Sequence, residues 1–316
     1  VGTHALISEQ TSLGNLALII TDEQHRFGVA QRKQLENKGK NPHTLIMTAT
    51  PIPRTLALMM YGDLDISVID ELPPGRKKVE TYVVGEDMRQ RIYAFLKKET
   101  EAGRQAYVVC PAVEASDIPG MKDVVTHSEE LKQLFGSGVC CIHGKMKPAQ
   151  KDDIMRRFQS GEIRILVATS VIEVGVNVPN ATVMIIENAA RFGLSQLHQL
   201  RGRVGRGSDK SYCILFPGEH VSPQTPRMQI MKQNSDGFQI AEQDLKLRGP
   251  GEFFGARQHG LMTFKIANLY CDMDILKETT KAAKQLIASD KGLKKPENKQ
   301  IHDAILKLFD TNITFS

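Results

Sequence analysis

Apolar residues fall along this chain in two kinds of run. Between 76 and 220, short blocks dominated by Val, Ile, Leu and Ala alternate with longer stretches of helical period. Strands are predicted over 79–84, 106–110, 139–142, 163–168, 183–186 and 212–216, with helices over 87–100, 129–135 and 147–159 among them. Unbroken apolar blocks mark strands buried on both faces, and their alternation with helices marks a doubly wound parallel sheet. Upstream, 16–20 and 44–47 read as two more strands, 28–38 and 56–60 as helices, and 65–69 as a further strand. The stretch Leu72-Pro73-Pro74-Gly75-Arg76-Lys77-Lys78 is the best linker candidate, with stiff prolines, a glycine and three cations. After Pro217 the sheet pattern stops, 272–289 reads as an amphipathic helix, and 291–299 as a solvated basic loop.

Gln196-Leu-His-Gln-Leu-Arg-Gly-Arg-Val-Gly-Arg-Gly207 organises the rest. On a helix, Gln196, Gln199, Arg203 and Arg206 share one face, while Leu197, Leu200 and Val204 line another. Gly202 and Gly205 each weaken a helix interior by roughly 1 kcal/mol, so another backbone or a ligand is expected to come close. A solvated basic face is the bland alternative. Paired glycines and interleaved glutamines favour phosphate recognition, which suits planar, permanently charged arginines.

A length of 316 residues bounds the chain to about two domains with a sizeable core. The net charge of +5 is compatible with nucleic acid but does not argue it. Five cysteines, without a C-x-x-C pair, read as reduced thiols and no metal site. No apolar run approaches the ~18 residues of a membrane span, and the expected location is cytoplasmic.

Candidate chemistry sits at strand ends, where open α/β sheets bind ligands. Strand 16–20 leads into Asp22-Glu23-Gln24-His25: one carboxylate can hold Mg²⁺ through water, and the next can orient an attacking water. Strand 44–47 leads into Thr48-Ala49-Thr50-Pro51, whose hydroxyls can bond the acidic stretch. His143-Gly144-Lys145-Met146 opens a helix where backbone N–H groups and a lysine can take a DNA phosphate. The stretch from Thr169 to Pro179 carries hydroxyls, Glu173 and Gly175 after a buried strand.

In order and rough spacing, four of these stretches resemble motifs II, III, V and VI of superfamily 2 helicases: Asp22 to His25, Thr48 to Pro51, Thr169 to Pro179 and Gln199 to Arg206. The resemblance implies two RecA-like lobes of the P-loop NTPase class, with ATP and Mg²⁺ as cofactors. By motif position Asp22 serves the Mg²⁺ and Glu23 the attacking water, with Gln24, His25 and Gln199 completing the catalytic set. Glu173, Gly175, Arg203 and Arg206 fall to the nucleotide. Arginine fingers of this kind are worth ~10³–10⁵ in rate. Thr3, His4, Thr48, Thr50, Lys145 and Thr169 fall to DNA, with Arg54 a weaker candidate.

The tail narrows the family. Asp244-Leu-Lys-Leu-Arg-Gly-Pro-Gly-Glu-Phe-Phe-Gly-Ala-Arg-Gln-His-Gly260 is too glycine-dense for regular helix throughout and is expected to form a loop. It resembles the TRG motif, a helical hairpin and loop, in the wording of the RecG family. That resemblance makes Arg248, Arg257 and Gln258 coupling candidates. It implies a translocase that remodels stalled forks and Holliday junctions in recombination and repair. Branched and duplex DNA, and single-strand-binding protein, are its implied partners, and a monomer its expected state.

The chain contains no G-x-x-x-x-G-K-[ST], the sequence that cradles nucleotide phosphates. The expected organisation is therefore 1–75 as the C-terminal part of a first lobe, 76–220 as a second lobe, and 221–316 as a TRG hairpin with a helical end. On this reading the chain is a C-terminal part without the P-loop and the wedge domain, inactive alone. A transcription-repair coupling translocase acting on RNA polymerase, and a non-catalytic DNA- or partner-binding module, are the alternatives.

Overall fold

A computed structural model describes residues 1–8, 11, 13–23, 34–35, 37–40, 42–49, 65, 67–69, 71, 73, 75–113, 121–169, 177–253 and 273–310. The chain divides into two compact units, Val1–Pro53 with Ile66–Asp244, and Arg54–Asp65 with Leu245–Ser316.

Six strands form the main sheet: β3 (Glu80–Val83), β4 (Gln105–Val109), β5 (Val139–Ile142), β6 (Ile165–Ala168), β7 (Ala181–Ile186) and β8 (Tyr212–Leu215). Their order is β3-β8-β7-β4-β6-β5, and every pairing is parallel. Burial explains the unbroken apolar blocks. Tyr107, Val109, Leu166, Met184, Ile186 and Leu215 enter one core, while Ala106, Val108, Ile165, Val167, Ile185 and Ile214 enter the other.

Helices cover both faces. Leu96 of α1 (Arg89–Glu101) and Leu131 of α2 (Val124–Phe135) fill the second core. The first takes Phe158 of α3 (Pro148–Gln159) and Leu197 of α4 (Leu194–Arg201). It also takes Met228 and Met231 of α5 (Pro226–Gln233) and Ile240 of α6 (Gly237–Phe253), beyond the sheet pattern. α2 begins five residues before the predicted helix, because Asp123 caps it by accepting from Thr126 N at 2.8 Å. That cap outweighs the weak helix preference of Val124, Val125 and Thr126.

Upstream, β1 (Leu18–Thr21) and β2 (His43–Ile46) pair in parallel. Positions 65 and 67–69, the described part of the predicted strand 65–69, carry no strand. Predicted helix 56–60 lies outside the described residues, as does most of 28–38. The second unit contains α7 (Met273–Ser289) and α8 (Lys299–Asp310). Between them the expected solvated loop is tied down: Asp290 accepts from Lys294 N, Lys295 N and Asn298 Nδ2 at 2.8–3.0 Å. No helix among the described residues is long and apolar enough to cross a membrane.

Two local expectations are corrected. The arginine helix does not reach 207, since α4 stops at Arg201. Gly205 takes φ +73°, and a Cβ there would stand 2.7 Å from Val79 Cγ2. At Gly205 the expected close approach is by Val79, a core-packed side chain at the entry to β3, whereas at Gly202 a Cβ would meet only its own helix, Gln199 O at 3.3 Å and His198 O at 3.5 Å. The second correction is in the tail, where α6 continues through Gly249-Pro250-Gly251 to Phe253, so the first part of the expected loop is helical, while 254–260 lie outside the described residues. Proline removes one backbone donor, but so near a helix end only a few residues depend on the turn it weakens.

At the carboxyl end of β7 lies a buried ion pair. Glu187 is 1% exposed and accepts from Arg89 Nη1 at 2.7 Å and Nη2 at 2.9 Å. Arg89 also grips Glu86, and its guanidinium carbon lies 4.2 Å from the Phe216 ring centroid. His127 Nε2 stands 3.4 Å from Glu187 Oε1. Burial pushes the Glu187 carboxyl up, but Arg89, with His127 helping, overrides it and holds the group down at about 2.

Two measurements test these arrangements. Gly205→Ala is expected to destabilise the protein by ~1–2 kcal/mol from the left-handed backbone alone, read as a lower urea midpoint. Because the folded pKa of Glu187 is depressed, its stabilisation is complete above the unfolded carboxylate range and is lost as pH falls towards 2. The urea midpoint should therefore drop as pH falls below about 5. In Glu187→Gln that contribution should vanish, with roughly 3 kcal/mol lost near neutrality, because Glu86 still holds Arg89. A midpoint at neutral pH equal to the parent's would show that the pair contributes nothing.

Candidate functional site

Three groups of sequence-predicted residues come together. The first lies at the carboxyl end of the β1–β2 pair, where the register Thr21↔Ile46 brings Asp22 and Glu23 to the same edge as Thr48. Asp22 is exposed, and its Oδ1 accepts from Glu23 N at 2.9 Å. Glu23 takes φ +51°, a left-handed backbone that costs a non-glycine residue about 1–2 kcal/mol. Such strain persists where surrounding structure requires it, and functional turns are frequent hosts. The exposed carboxylate of Asp22 has the chemistry to bind a hydrated Mg²⁺.

A second group lies at the carboxyl ends of β5 and β6, neighbours with Ile142 opposite Ala168. His143 and Thr169 are therefore side by side. Thr169 is 7% exposed, and neither its Oγ1 nor His143 Nδ1 has a hydrogen-bond partner among the described residues. Buried polar atoms without partners cost about 1–3 kcal/mol each, so this edge is short of a polar ligand. Lys145 is exposed in the turn that follows.

The arginines form the third. Gln199 is carried by α4, whereas Arg203 and Arg206 occupy the turn beyond it. They remain neighbours, since the charges of both bear on the Tyr107 hydroxyl, opposing the burial that nonetheless leaves its pKa raised to about 12. Arg206 is exposed, with Nε donating to Gly202 O at 3.2 Å. Gly207 packs so close to Pro179 O that a Cβ would stand 3.0 Å from it. The end of the Thr169–Pro179 stretch thus abuts the arginine turn.

Two arginines that sequence reasoning passed over hold this turn. Arg76, in the predicted linker, donates from Nε to Gly205 O at 3.1 Å and from Nη2 to Gly202 O at 3.4 Å. Arg201 is buried and donates to backbone carbonyls from 231 to 235. Helical spacing separates Arg201 from Arg203 and Arg206: it falls beside Leu197 on the packing side, and at the end of α4 it turns inward. Thr3 caps a short 3₁₀ turn, His4–Ile7, by accepting from Ala5 N at 3.5 Å. For His4 and Arg248 the backbone alone is described, in that turn and in α6. Gln24, His25, Thr50, Arg54, Glu173, Gly175, Arg257 and Gln258 lie outside the described residues.

Comparison with known proteins meets this geometry from outside. A model of the helicase conserved C-terminal domain matches residues 87–208, and a model of the C-terminal part of domain 3 of the ATP-dependent DNA helicase RecG matches 234–316. The ATP-dependent DNA helicase RecG of Bacillus subtilis is 51% identical over 97% of this chain, and that of Thermotoga maritima 52% over 87%. The chain spans 45% of the first and 36% of the second, less than half the length of either. A solved structure of RecG bound to a three-way DNA junction matches with a TM-score of 0.65 and 48% identity, over 88% of this chain and 36% of that one. With half of its residues shared across nearly its whole length, and both models met in chain order, the chain matches the C-terminal part of the RecG helicases.

Proposed function

We propose that the chain is part of an ATP-dependent DNA helicase that remodels branched DNA, stalled forks and Holliday junctions, in recombination and repair. The observation that carries this reading is its roughly 50% identity to RecG helicases over almost its entire length. A relative solved on a three-way junction supports branched DNA as the substrate. In the proposed organisation, 1–75 belong to a first motor lobe, 76–220 form the second, and 221–316 form the TRG hairpin and helical end.

The residues fit ATP and Mg²⁺ in part. Asp22 suits the hydrated ion, Glu23 the water, and the exposed Arg206 with Arg203 the phosphates, with Gln24, His25, Gln199, Glu173 and Gly175 assigned by motif position. Bound nucleotide supplies the free energy of phosphoanhydride hydrolysis. No glycine-lysine cradle occurs in this sequence, so the proposal takes it from the remaining length that the relatives carry. Thr3, His4, Thr48, Thr50, Lys145 and Thr169 are assigned to DNA, and Arg248, Arg257 and Gln258 to coupling. The unpartnered Thr169 hydroxyl and His143 ring nitrogen support a backbone phosphate at that edge. A DNA motor of this kind is placed in the cytoplasm, as a monomer, with single-strand-binding protein as a further partner.

Mg²⁺-dependent ATP hydrolysis on a model fork tests the reading, comparing this chain with a form extended to its relatives' length. Turnover is expected only from the long form, and its Arg206→Ala variant should lose ~10³-fold or more. Hydrolysis by the short chain would place the phosphate site elsewhere. For Lys145→Ala in the long form, the slope of log K against log salt on duplex DNA should shrink by about one unit. An unchanged slope removes Lys145 from the DNA contacts.

A further inference from the structure

We propose that Arg76, in the linker ahead of β3, is a positioning residue for Arg206: it shares the Gly202 carbonyl on which Arg206 rests, and keeps that carbonyl paired when Arg206 leaves it for a nucleotide phosphate. The proposal rests on the helicase reading above. It adds a residue that lies outside every motif the chain resembles.

Gly202 follows the last residue of α4, so its carbonyl lies past the helical ladder. Neither it nor the Gly205 carbonyl accepts from a backbone N–H among the described residues. Side chains supply the donors instead. Arg206 Nε reaches Gly202 O at 3.2 Å, and Arg76 Nη2 reaches the same oxygen at 3.4 Å. A carbonyl oxygen has two lone pairs, so it can serve both guanidiniums, each through a bond longer than the usual ~2.9 Å. Arg76 Nε donates in addition to Gly205 O at 3.1 Å.

The two donors are not equivalent. Arg206 is exposed, and the bond to Gly202 is its one hydrogen bond among the described residues. Arg76 is half-buried and pinned at a second point, the Gly205 carbonyl. Around it the linker lies against the turn: a Cβ on Gly205 would stand 2.7 Å from Val79 Cγ2 and 3.8 Å from Lys77 O. The chain then enters β3, where Glu80 N donates to Ser211 O at 2.9 Å. Arg76 is therefore the fixed donor, and Arg206 the one with freedom to leave. A phosphate draws Arg206 away, because charge-assisted pairs are the stronger ones. A half-buried carbonyl abandoned by its donor would oppose that departure. Arg76 closes onto Gly202 O as Arg206 withdraws, and the opposition is removed. Its bond to Gly205 O meanwhile holds the left-handed turn, φ +73°, that presents Arg206.

The test uses Arg76→Gln and Arg76→Lys in the long form, alone and combined with Arg206→Ala, reading ATP KM, kcat, single-turnover hydrolysis and thermal melting. Arg76→Gln is expected to lower kcat about five- to tenfold with KM within about twofold, as befits one hydrogen bond lost on the way to the transition state. In the Arg206→Ala background the same change should alter hydrolysis by less than about twofold, since Arg76 then has nothing to release. An unchanged kcat overturns the proposal. So does an equal fall in both backgrounds, which is a stability role only. Arg76→Lys, whose single ammonium cannot span two carbonyls, should show the same dependence on Arg206, and it decides the matter if Arg76→Gln does not fold. Should the unsubstituted long form fail to hydrolyse ATP, the helicase reading falls, and the shared carbonyl is tested by itself. Nitrogen-15 spectroscopy then follows the Arg206 Nε–H, which should exchange with water about threefold more slowly in Arg76→Gln, because Gly202 O is left to Arg206 alone. Equal or faster exchange would sink it.

Discussion

Backbone carbonyls stranded where helices and strands end must find donors, and in this protein arginine side chains supply them. Arg76 takes the carbonyls of Gly202 and Gly205, and Arg201 those of Met231, Asn234 and Ser235. Arg227 takes Ala190 and Phe192, and Arg164 takes Gly103. A guanidinium can serve several acceptors in one plane without losing its charge. Segments far apart in the chain are joined this way at both ends of the sheet: Arg76 near the entry to β3, and Arg227 beyond the carboxyl end of β7.

The consequence is a division of labour among arginines that look alike. Arg203 and Arg206 stand on a turn made possible by the left-handed Gly205, with Arg206 open to solvent. Arg76 and Arg201 are spent on backbone, and their bonds set where that turn can lie. Arg89 is used differently again, locked to Glu187 below the strand ends. Chemistry toward a phosphate is available only to those guanidiniums that the fold leaves outward.

A second constraint is the parallel sheet. Parallel strands bury both faces and end together, so His143, Thr169 and Glu187 collect at one edge although they are far apart in sequence. That edge holds two opposite solutions to buried polarity. Glu187 is satisfied by Arg89, whereas the Thr169 hydroxyl and His143 ring nitrogen have no partner among the described residues. The first stiffens the lobe, and the second leaves room for a ligand.

Much of this was legible from the residues. Strand blocks such as 183–186 declared themselves, because a strand buried on both faces is apolar at every position. The acids after β1 and the paired arginines after α4 stood out through the order and spacing of the motifs they resemble. What the residues could not show was the end of α4, the helical course of 249–251, or the work of Arg76 and Arg201. The work of the two arginines depends on partners 30 to 129 positions away, from Met231 opposite Arg201 to Gly205 opposite Arg76. Local pattern determines which segments are strands and helices. Which arginine turns inward to buried carbonyls, and which is left towards solvent, is decided by tertiary packing, because that choice is made by the acceptors the fold brings within reach.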